Sequence, residues 1–407
     1  MSAAVIARPL ASKAKRKDAK KRKGSQRTVP SNFQTLWWVL LAWLGAATSA
    51  TFAAEASPAP PSPPDYYALA REGQFVLRDF QFTSGERLPQ LRLFYRTLGT
   101  PRRDAQGRVT NAVLIMHGTT GSGAQFLQPV FANELFGPGQ PLDIATHYII
   151  LRDSIGHGDS SKPSDGLRAR FPRYGYRDIV VADHRLLTEG LNINHLKLVM
   201  GTSSGGMQTW LWGGMYPDFM DGLMPLGSLP TQISGRNRVW RRMVMDAIRG
   251  DPEWKGGNYT VQPQSLRLAA QMVFFMSSNP LLRQEAMPTL AKSDEVLDEY
   301  TAALVAQGDA NDMLYAIESS WDYDPGPLLE KIRARLVAIN SADDLIDPPE
   351  LGILERETRR VPRGRTVMIP YDARSRGHGS HTYPSLWKHE LVKLLREIDS
   401  DRKPAPN

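Results

Sequence analysis

A serine between glycines, in Gly201-Thr202-Ser203-Ser204-Gly205, joins a predicted strand to a predicted helix and sets the architecture expected around it. The apolar residues 196–200 predict a buried strand, and residues 206–215 predict a helix. So abrupt a change of direction needs glycine on both sides, because larger side chains do not fit inside the turn. The turn leaves the Ser203 hydroxyl at the edge of a sheet, which predicts a nucleophilic serine.

Strands and helices alternate along most of the chain. Further strands are predicted at residues 74–82, 91–98, 111–116, 147–151, 221–226, 336–340 and 366–370, and further helices at 178–191 and 385–398. Several of these strands are uninterrupted apolar runs, as expected of parallel strands buried on both faces. The pattern predicts an α/β fold with a mostly parallel sheet and helices on both faces.

The alternation stops between residues 231 and 330, a segment of helical character. We interpret it as a helical lid inserted into the sheet domain, which divides the core into residues 73–230 and 331–407. Its large apolar side chains are either ordinary core or candidates for an apolar substrate pocket. The candidates are Trp240, Met243, Met245, Met272, Phe274 and Phe275.

The amino-terminal segment is predicted to direct export. A basic stretch ending at Arg27 precedes the apolar residues 36–47. Ala54-Glu55-Ala56 offers a small-x-small cleavage site, and Thr51-Phe52-Ala53 is a second candidate. Residues 1–56 are therefore interpreted as a signal peptide, followed by a proline-rich linker at 57–72. The protein is expected to be periplasmic or secreted. The alternative is an uncleaved membrane anchor through residues 36–54.

The net charge of +8 does not indicate nucleic-acid binding, because residues 1–54 hold ten basic residues and one acidic residue. The rest of the chain therefore has a net charge of −1 and no basic stripe for a phosphate backbone. The absence of cysteine excludes disulfides, thiol nucleophiles and thiolate metal sites. No cofactor and no metal is predicted, and the sequence leaves the oligomeric state open.

A nucleophilic serine needs a histidine base and a carboxylate that orients the base. The turn around Ser203 resembles the nucleophile elbow of the α/β-hydrolase fold, in which serine, acid and histidine follow one another along the chain. His378 follows a glycine in a loop beyond a predicted strand and is the predicted base, with His381 as the alternative. Asp344, four residues before Pro348, is the predicted acid.

Other polar residues near these motifs are assigned to loop structure. Asp343 and Asp347 are interpreted as solvated turn residues. His117, His157 and Asp159 are interpreted as residues that shape loops at the same sheet edge.

An acyl-transfer site also needs two backbone N–H groups aimed at the oxyanion. Ser204 directly follows the nucleophile and is predicted to supply one of them. The second is predicted at Thr119, in the loop His117-Gly118-Thr119-Thr120-Gly121 directly after a strand.

Beyond the elbow, the chain resembles the homoserine O-acetyltransferase branch of the α/β-hydrolases over most of residues 88–400. The resemblance is carried by NAVLIMHGTTG, GTSSGGMQ, Tyr216-Pro217-Asp218, Asp251-Pro252-Glu253-Trp254 with Gly257-Asn258-Tyr259, DDLIDPP and Gly377-His378. The Asp-Pro-x-Trp segment is not general to α/β-hydrolases. The resemblance implies that Ser203, Asp344 and His378 form a catalytic triad.

The chain departs from that branch at positions that, by the resemblance, bind the amino acid. Ala270 and Ser277 stand where the family has an arginine and a tyrosine, and Gly379 replaces the aspartate after the catalytic histidine. A zwitterionic substrate would therefore lose partners for both charges. The sequence predicts a serine hydrolase acting on a small-molecule acyl ester. The alternatives are an O-acyltransferase of the homoserine acetyltransferase type and a non-catalytic binding protein on the same fold.

Overall fold

The computed structural model describes residues 64–402, in which eight strands form one sheet in the order β1-β2-β4-β3-β5-β6-β7-β8. The strands are β1 Arg71–Gln81, β2 Arg87–Leu98, β3 Ala112–Met116, β4 Tyr148–Arg152, β5 Leu196–Thr202, β6 Met220–Leu226, β7 Arg335–Ser341 and β8 Gly364–Ile369. β1 and β2 pair antiparallel, β2 is antiparallel to β4, and all other pairs are parallel. The predicted α/β class with a mostly parallel sheet is confirmed.

The α-helices of residues 64–402 are α1 Tyr66–Leu69, α2 Pro129–Leu135, α3 Tyr176–Arg185, α4 Ser204–Met215, α5 Gly235–Gly250, α6 Ser265–Met276, α7 Pro280–Ala286, α8 Leu290–Gln307, α9 Ala310–Glu318, α10 Ile353–Thr358 and α11 Lys388–Asp401. A π-helical turn, Leu186–Gly190, directly follows α3. The predicted helix over 178–191 is thus a regular helix followed by a wider turn.

The parallel strands are buried on both faces, as their uninterrupted apolar runs predict. In β3, Leu114 and Met116 join one apolar cluster, while Val113 and Ile115 join a second on the opposite face. This alternation follows from the two-residue period of a strand. Helices α3, α4 and α10 contribute to the first cluster, and α2 and α11 to the second. Burial of each large apolar side chain stabilises the fold by about 1.5–3 kcal/mol.

Helices α5–α9 lie between β6 and β7 and form the helical insertion, residues 235–318. Its helices pack around an apolar cluster that includes Trp240, Val244, Ile248 and Leu266 but no strand residue. The insertion therefore has a core of its own, which also includes Ile346 from the loop after β7, while Tyr315 of α9 packs against the first cluster of the sheet.

The folded structure begins before residue 73. Helix α1 and the first two residues of β1 fall inside the range interpreted as a linker. Tyr66 is buried and packs edge-on against Phe136, with 6.0 Å between the ring centroids. Tyr66 belongs to the second apolar cluster of the sheet, but a lone buried side chain shows no period in the sequence, which is why patterning did not reveal it.

The predicted signal peptide or anchor lies in residues 1–63, outside the described residues. Between residues 64 and 402, no helix has the length and apolar character that crossing a bilayer requires.

Candidate active site

The glycine-bounded turn holds Ser203 in a strained conformation at the tip of β5. Its backbone angles, φ 55° and ψ −117°, lie outside the regions that residues other than glycine ordinarily adopt. A Cβ atom at Gly201 would clash with the carbonyl oxygen of Gly205, and one at Gly205 would clash with that of Met116. Both glycines are therefore required by close backbone contacts, and the strained serine projects from the sheet edge.

Ser203, His378 and Asp344 form a continuous hydrogen-bonded chain. The His378 Nε2 atom lies 2.8 Å from Ser203 Oγ, and Nδ1 lies 2.7 Å from Asp344 Oδ2. Ser203 follows β5, Asp344 follows β7 and His378 lies in the loop after β8. The carboxyl ends of parallel strands meet at one sheet edge, which brings together residues that are far apart in the sequence.

Backbone groups and burial fix the charge states of the acid and the base. Asp344 also accepts hydrogen bonds from the N–H groups of Ile346, at 2.8 Å, and Asp347, at 3.0 Å. Burial opposes its charge, but these bonds and His378 outweigh burial and lower the pKa of Asp344. Burial likewise opposes the imidazolium, but the Asp344 carboxylate raises the pKa of His378. The ionised acid thus orients His378 to accept a proton at Nε2.

His381, the alternative base, lies beside this chain and not within it. Its ring stands edge-on to that of His378, with 4.9 Å between the centroids. Its buried Nδ1 atom has no hydrogen-bond partner among the described residues. Burial, together with His378, lowers the pKa of His381 to about 3. The structure therefore places His378 in contact with Ser203 and leaves His381 as a neutral neighbour.

The interpretation of Asp343 as a solvated turn residue is wrong. Its buried carboxylate accepts hydrogen bonds from the Gly377 N–H, at 2.8 Å, and the Ser375 hydroxyl, at 3.0 Å. The side-chain amide of Asn279 also donates to it. Asp343 thereby holds the loop that carries His378. The turn faces the protein interior because of contacts with distant residues, which the sequence of the turn alone does not reveal.

The interpretation of Asp347 as solvated is also wrong, since only 1% of its surface is exposed. Its Oδ1 atom accepts a hydrogen bond from Asn237 Nδ2 at 3.2 Å, and its Oδ2 atom has no partner among residues 64–402. Burial and the charge of Asp344 raise the pKa of Asp347 to about 7. Asp344, Asp347 and His378 each offer a possible metal ligand within 4.8 Å of one another. Asp344 and His378 already bond to each other through such atoms.

The loop after β3 approaches Ser203 closely. A Cβ atom at Gly118 would lie 3.2 Å from Ser203 Cβ. His117 Nδ1 lies 2.8 Å from the Gly118 carbonyl oxygen, and His117 Nε2 accepts the Ser154 N–H at 3.0 Å. His157 Nε2 lies 2.7 Å from the Thr119 carbonyl oxygen. Both histidines therefore fix the loop, as predicted for them.

Both predicted oxyanion donors lie close to the nucleophile. Thr119 lines the cavity that contains Ser203, and Ser204 is the first residue of α4. Neither backbone N–H has an acceptor within the described part of the chain. Free N–H groups at the start of a helix and in a tight loop suit a developing negative charge.

Ser203 faces a cavity of about 190 Å³ that lies between the sheet edge and the helical insertion. The sheet edge contributes residues 118–121, His378, Gly379 and His381. The insertion contributes Trp240, Arg241, Val273, Met276, Ser277, Tyr300 and Ile317. A larger cavity of about 540 Å³ adjoins it and shares residues 119–121 and Tyr300.

Of the apolar candidates in the insertion, Trp240 alone lines the cavity that contains Ser203. Met243 and Phe275 are exposed, Met245 is buried within the insertion, and Phe274 packs on the Tyr300 ring. Composition identified the segment but not the inward-facing residues, because that choice depends on how the helices pack.

Sequence reasoning missed Arg241, a charged residue on a buried helix face. The buried residues of α5 recur every three or four positions: Asn237, Trp240, Arg241, Val244, Met245 and Ile248. An arginine inside such a stripe is the signal that could have identified it.

A family model for the alpha/beta hydrolase fold matches residues 111–373. A homoserine O-acetyltransferase of Chlorobaculum parvum is 31% identical, over 72% of this chain and 86% of that protein. A probable acyltransferase of Methanothermobacter thermautotrophicus is 28% identical, over 72% of this chain and 89% of that protein.

Two solved structures show the same fold at a TM-score of 0.70. One is a homoserine O-acetyltransferase from Bacillus anthracis, 20% identical, which matches 80% of this chain and 98% of that chain. The other is an acetylester hydrolase from Corynebacterium glutamicum, 22% identical, with 80% and 96% coverage. The protein is therefore an enzyme of the α/β-hydrolase fold. Within that class it belongs to the homoserine O-acetyltransferase-like branch.

Proposed function

We propose that this enzyme is a serine hydrolase that cleaves acyl esters through an acyl-enzyme on Ser203. The observation that carries the proposal is the hydrogen-bonded chain from Ser203 through His378 to Asp344, which opens into a cavity. A binding protein would have no need for a strained serine with a base 2.8 Å away.

The mechanism follows from these contacts. His378 Nε2 takes the Ser203 proton as Oγ attacks the acyl carbon, and the N–H groups of Thr119 and Ser204 stabilise the oxyanion. His378 then gives the proton to the leaving alcohol, and the ester C–O bond breaks. Water attacks the acyl-enzyme with His378 as base, which releases the acid and restores Ser203. Asp344 remains ionised throughout.

The cavity supports water over homoserine as the acceptor. Ser277 and Gly379 line it, at positions where the family resemblance places a tyrosine and an aspartate. Ala270, at the position of the family's arginine, is buried inside the insertion. The relatives named as acyltransferases favour the second candidate, in which an alcohol or amine replaces water.

The test compares ester hydrolysis with homoserine acetylation, using protein without residues 1–56. p-Nitrophenyl acetate or butyrate should be hydrolysed by the wild-type enzyme and not by Ser203→Ala. Transfer from acetyl-CoA to homoserine should be weaker than in a homoserine O-acetyltransferase by about 10–100-fold or more, because Gly379 supplies no carboxylate for the substrate amine, a contact worth about 1.5–3 kcal/mol. Efficient transfer would support the acyltransferase instead. Equal ester turnover by wild type and Ser203→Ala would support the binding protein.

We also propose that the basic and apolar leader directs export of the enzyme. Sequencing of the mature protein should find an amino terminus near residues 55–57. An intact Met1 on protein recovered from the cytoplasm would contradict this proposal.

A further inference from the structure

Arg241 on α5 places a buried positive charge in the wall of the active-site cavity. Only 1% of its surface is exposed, yet it lines the same cavity as Ser203. Removing a guanidinium from water costs several kcal/mol unless an anion or a full set of acceptors replaces the water. The partners of Arg241 are therefore informative.

The protein supplies Arg241 with neutral acceptors only. Nε donates to Asn237 Oδ1 at 3.0 Å, and Nη1 makes long contacts to the Ile317 carbonyl oxygen, at 3.4 Å, and Ser320 Oγ, at 3.5 Å. The guanidinium also lies over the Trp240 ring, 4.9 Å from its centroid. Between residues 64 and 402, Nη2 has no acceptor and no carboxylate forms a salt bridge with Arg241.

The other buried arginines of the described chain are paired differently. Arg152 forms a salt bridge with Asp183 at 2.9 Å, and Arg96 forms one with Asp153 at 3.2 Å. Both lie in the sheet domain, away from the cavity that contains Ser203. Arg241 is thus the buried arginine of residues 64–402 that lacks a carboxylate, and it is the one that faces the active site.

One buried acid, Asp347, is linked to Arg241 through a side-chain amide and not by a direct hydrogen bond. Asn237 accepts from Arg241 and donates to Asp347, so an amide separates the two groups. Asp347 is itself buried beside the negative charge of Asp344, and its pKa is raised to about 7. It therefore provides only part of a counter-charge near neutral pH.

We propose that Arg241 binds a carboxylate carried by the substrate, so that the preferred substrates are small esters with an anionic group. A substrate carboxylate would supply the missing counter-ion, and a guanidinium can hold it through two parallel hydrogen bonds. The inference rests on the proposed esterase function, because the cavity becomes a substrate site only if Ser203 is acylated. The carboxylate can lie on the acyl side or the alcohol side of the ester.

The experiment measures kcat/KM for charged and neutral esters of similar size. Monomethyl succinate against methyl butyrate tests the acyl side, and 2-acetoxyacetate against propyl acetate tests the alcohol side. Wild-type enzyme should prefer the charged member of at least one pair. In Arg241→Met, kcat/KM for that member should fall about 10–100-fold more than for its neutral partner.

Arg242→Met is the matched control. Arg242 is the next residue on α5, has an exposed side chain and pairs with Asp246 on the helix surface. Its replacement should leave the charged-to-neutral ratio unchanged. Arg241→Lys, which keeps the charge but loses the fork, should give an intermediate ratio. It also provides the test if Arg241→Met does not fold.

The outcomes separate the two proposals. If the wild type hydrolyses neutral esters and shows no preference for charged ones, Arg241 does not have the proposed role. The same holds if a preference exists but remains in Arg241→Met and Arg241→Lys. Either result leaves the esterase proposal standing. Absence of hydrolysis of every ester by the wild type overturns the esterase function. Competitive inhibition of butyrate ester hydrolysis by succinate, weakened in both Arg241 variants and not in Arg242→Met, would support the carboxylate site independently of turnover.

Discussion

The two walls of the active-site cavity are built on different principles. At the sheet edge, backbone geometry fixes the reactive groups: close contacts require Gly201 and Gly205, and N–H groups hold Asp344. On the insertion side, the wall consists of side chains from helices with a separate core, such as Trp240 and Tyr300. The sheet edge can therefore preserve acyl chemistry while side chains of the insertion change what is bound.

The helical insertion contacts the loop that carries His378 through Asn279, at the start of α7. Its Oδ1 atom accepts the Leu282 N–H at 3.0 Å, which caps the helix, and its amide donates to Asp343 and to the Ser375 carbonyl oxygen. Gly377, with a φ of 59°, packs so closely on Ser278 that a Cβ atom there would lie 2.6 Å from the Ser278 carbonyl oxygen. The insertion thus braces the loop that carries His378.

The largest effect is expected at the sheet edge. Ser203→Ala or His378→Ala should reduce kcat by up to about 10⁶-fold, because each removes a group that acts with the others as a unit. Labelling of Ser203 by a phosphonate probe should be lost in Ser203→Ala and slowed by orders of magnitude in His378→Ala.

His381→Ala is the matched control, since His381 is a buried neighbour without a bond to Ser203 or Asp344. Its effect on labelling should be far smaller than that of His378→Ala. If the two histidine variants exchanged behaviour, His381 would be the base, and the sheet edge would have to rearrange on binding substrate.

The same division explains how much the sequence could predict. The elbow around Ser203 is a local property of glycine spacing. His378 and Asp344 follow from chain order and from their placement after strands. The parallel strands follow from their uninterrupted apolar runs. All of these depend on residues that are close together in the sequence or on rules of one fold.

The residues that sequence reasoning missed act through tertiary contacts. Asp343 looks like a turn residue until Asn279, 64 positions away, is seen to donate to it. Arg241 and Tyr300 face the cavity only because α5 and α8 pack in a particular orientation. No period or motif specifies the rotation of these helices about their axes, so composition indicated a pocket without naming its walls.

Asn279→Ala tests the brace between the walls. Loss of the amide should lower the free energy of unfolding by about 1.5–3 kcal/mol, because Asp343 is buried and loses a donor. A small displacement of His378 would reduce kcat/KM by as much as about 10²-fold. Denaturant unfolding and ester kinetics measure the two effects.

Thr289→Ala provides the comparison for Asn279→Ala. Thr289 caps α8 by accepting the Lys292 N–H at 3.2 Å, and among residues 64–402 it forms no hydrogen bond with the loop that carries His378. Its loss should cost about 1 kcal/mol of stability and leave kcat/KM unchanged. Equal kinetic effects of the two variants would show that the insertion acts through general stability and not through Asn279.

The smallest kinetic effect is expected for a substitution of Asp347, and it should change the pH dependence of kcat/KM. His378 must be unprotonated to act as base, and its pKa is raised, so kcat/KM should fall as the pH drops through that raised value. The charged groups around His378 are Asp344, Asp347 and Arg241. Asp347→Asn removes one of the two carboxylates. The acid limb of the pH profile should therefore move to lower pH, with little change on the plateau.

The pH dependence of the free energy of unfolding provides a second test of Asp347→Asn. The pKa of Asp347 is about 7 in the folded protein, against about 3.9 for an unfolded aspartate, so the folded state holds its proton more tightly. Stability contributed by the protonated carboxyl is present at acidic pH and declines as the pH rises from about 4 to about 7. Asparagine does not titrate, so the variant should gain stability relative to wild type over that range. Glu350→Gln, at an exposed carboxyl nearby, should change neither profile. If the free energy of unfolding of the wild type and of Asp347→Asn changed in parallel with pH, Asp347 would titrate as an ordinary aspartate. Its pKa would then not be raised by burial and by the neighbouring charge of Asp344.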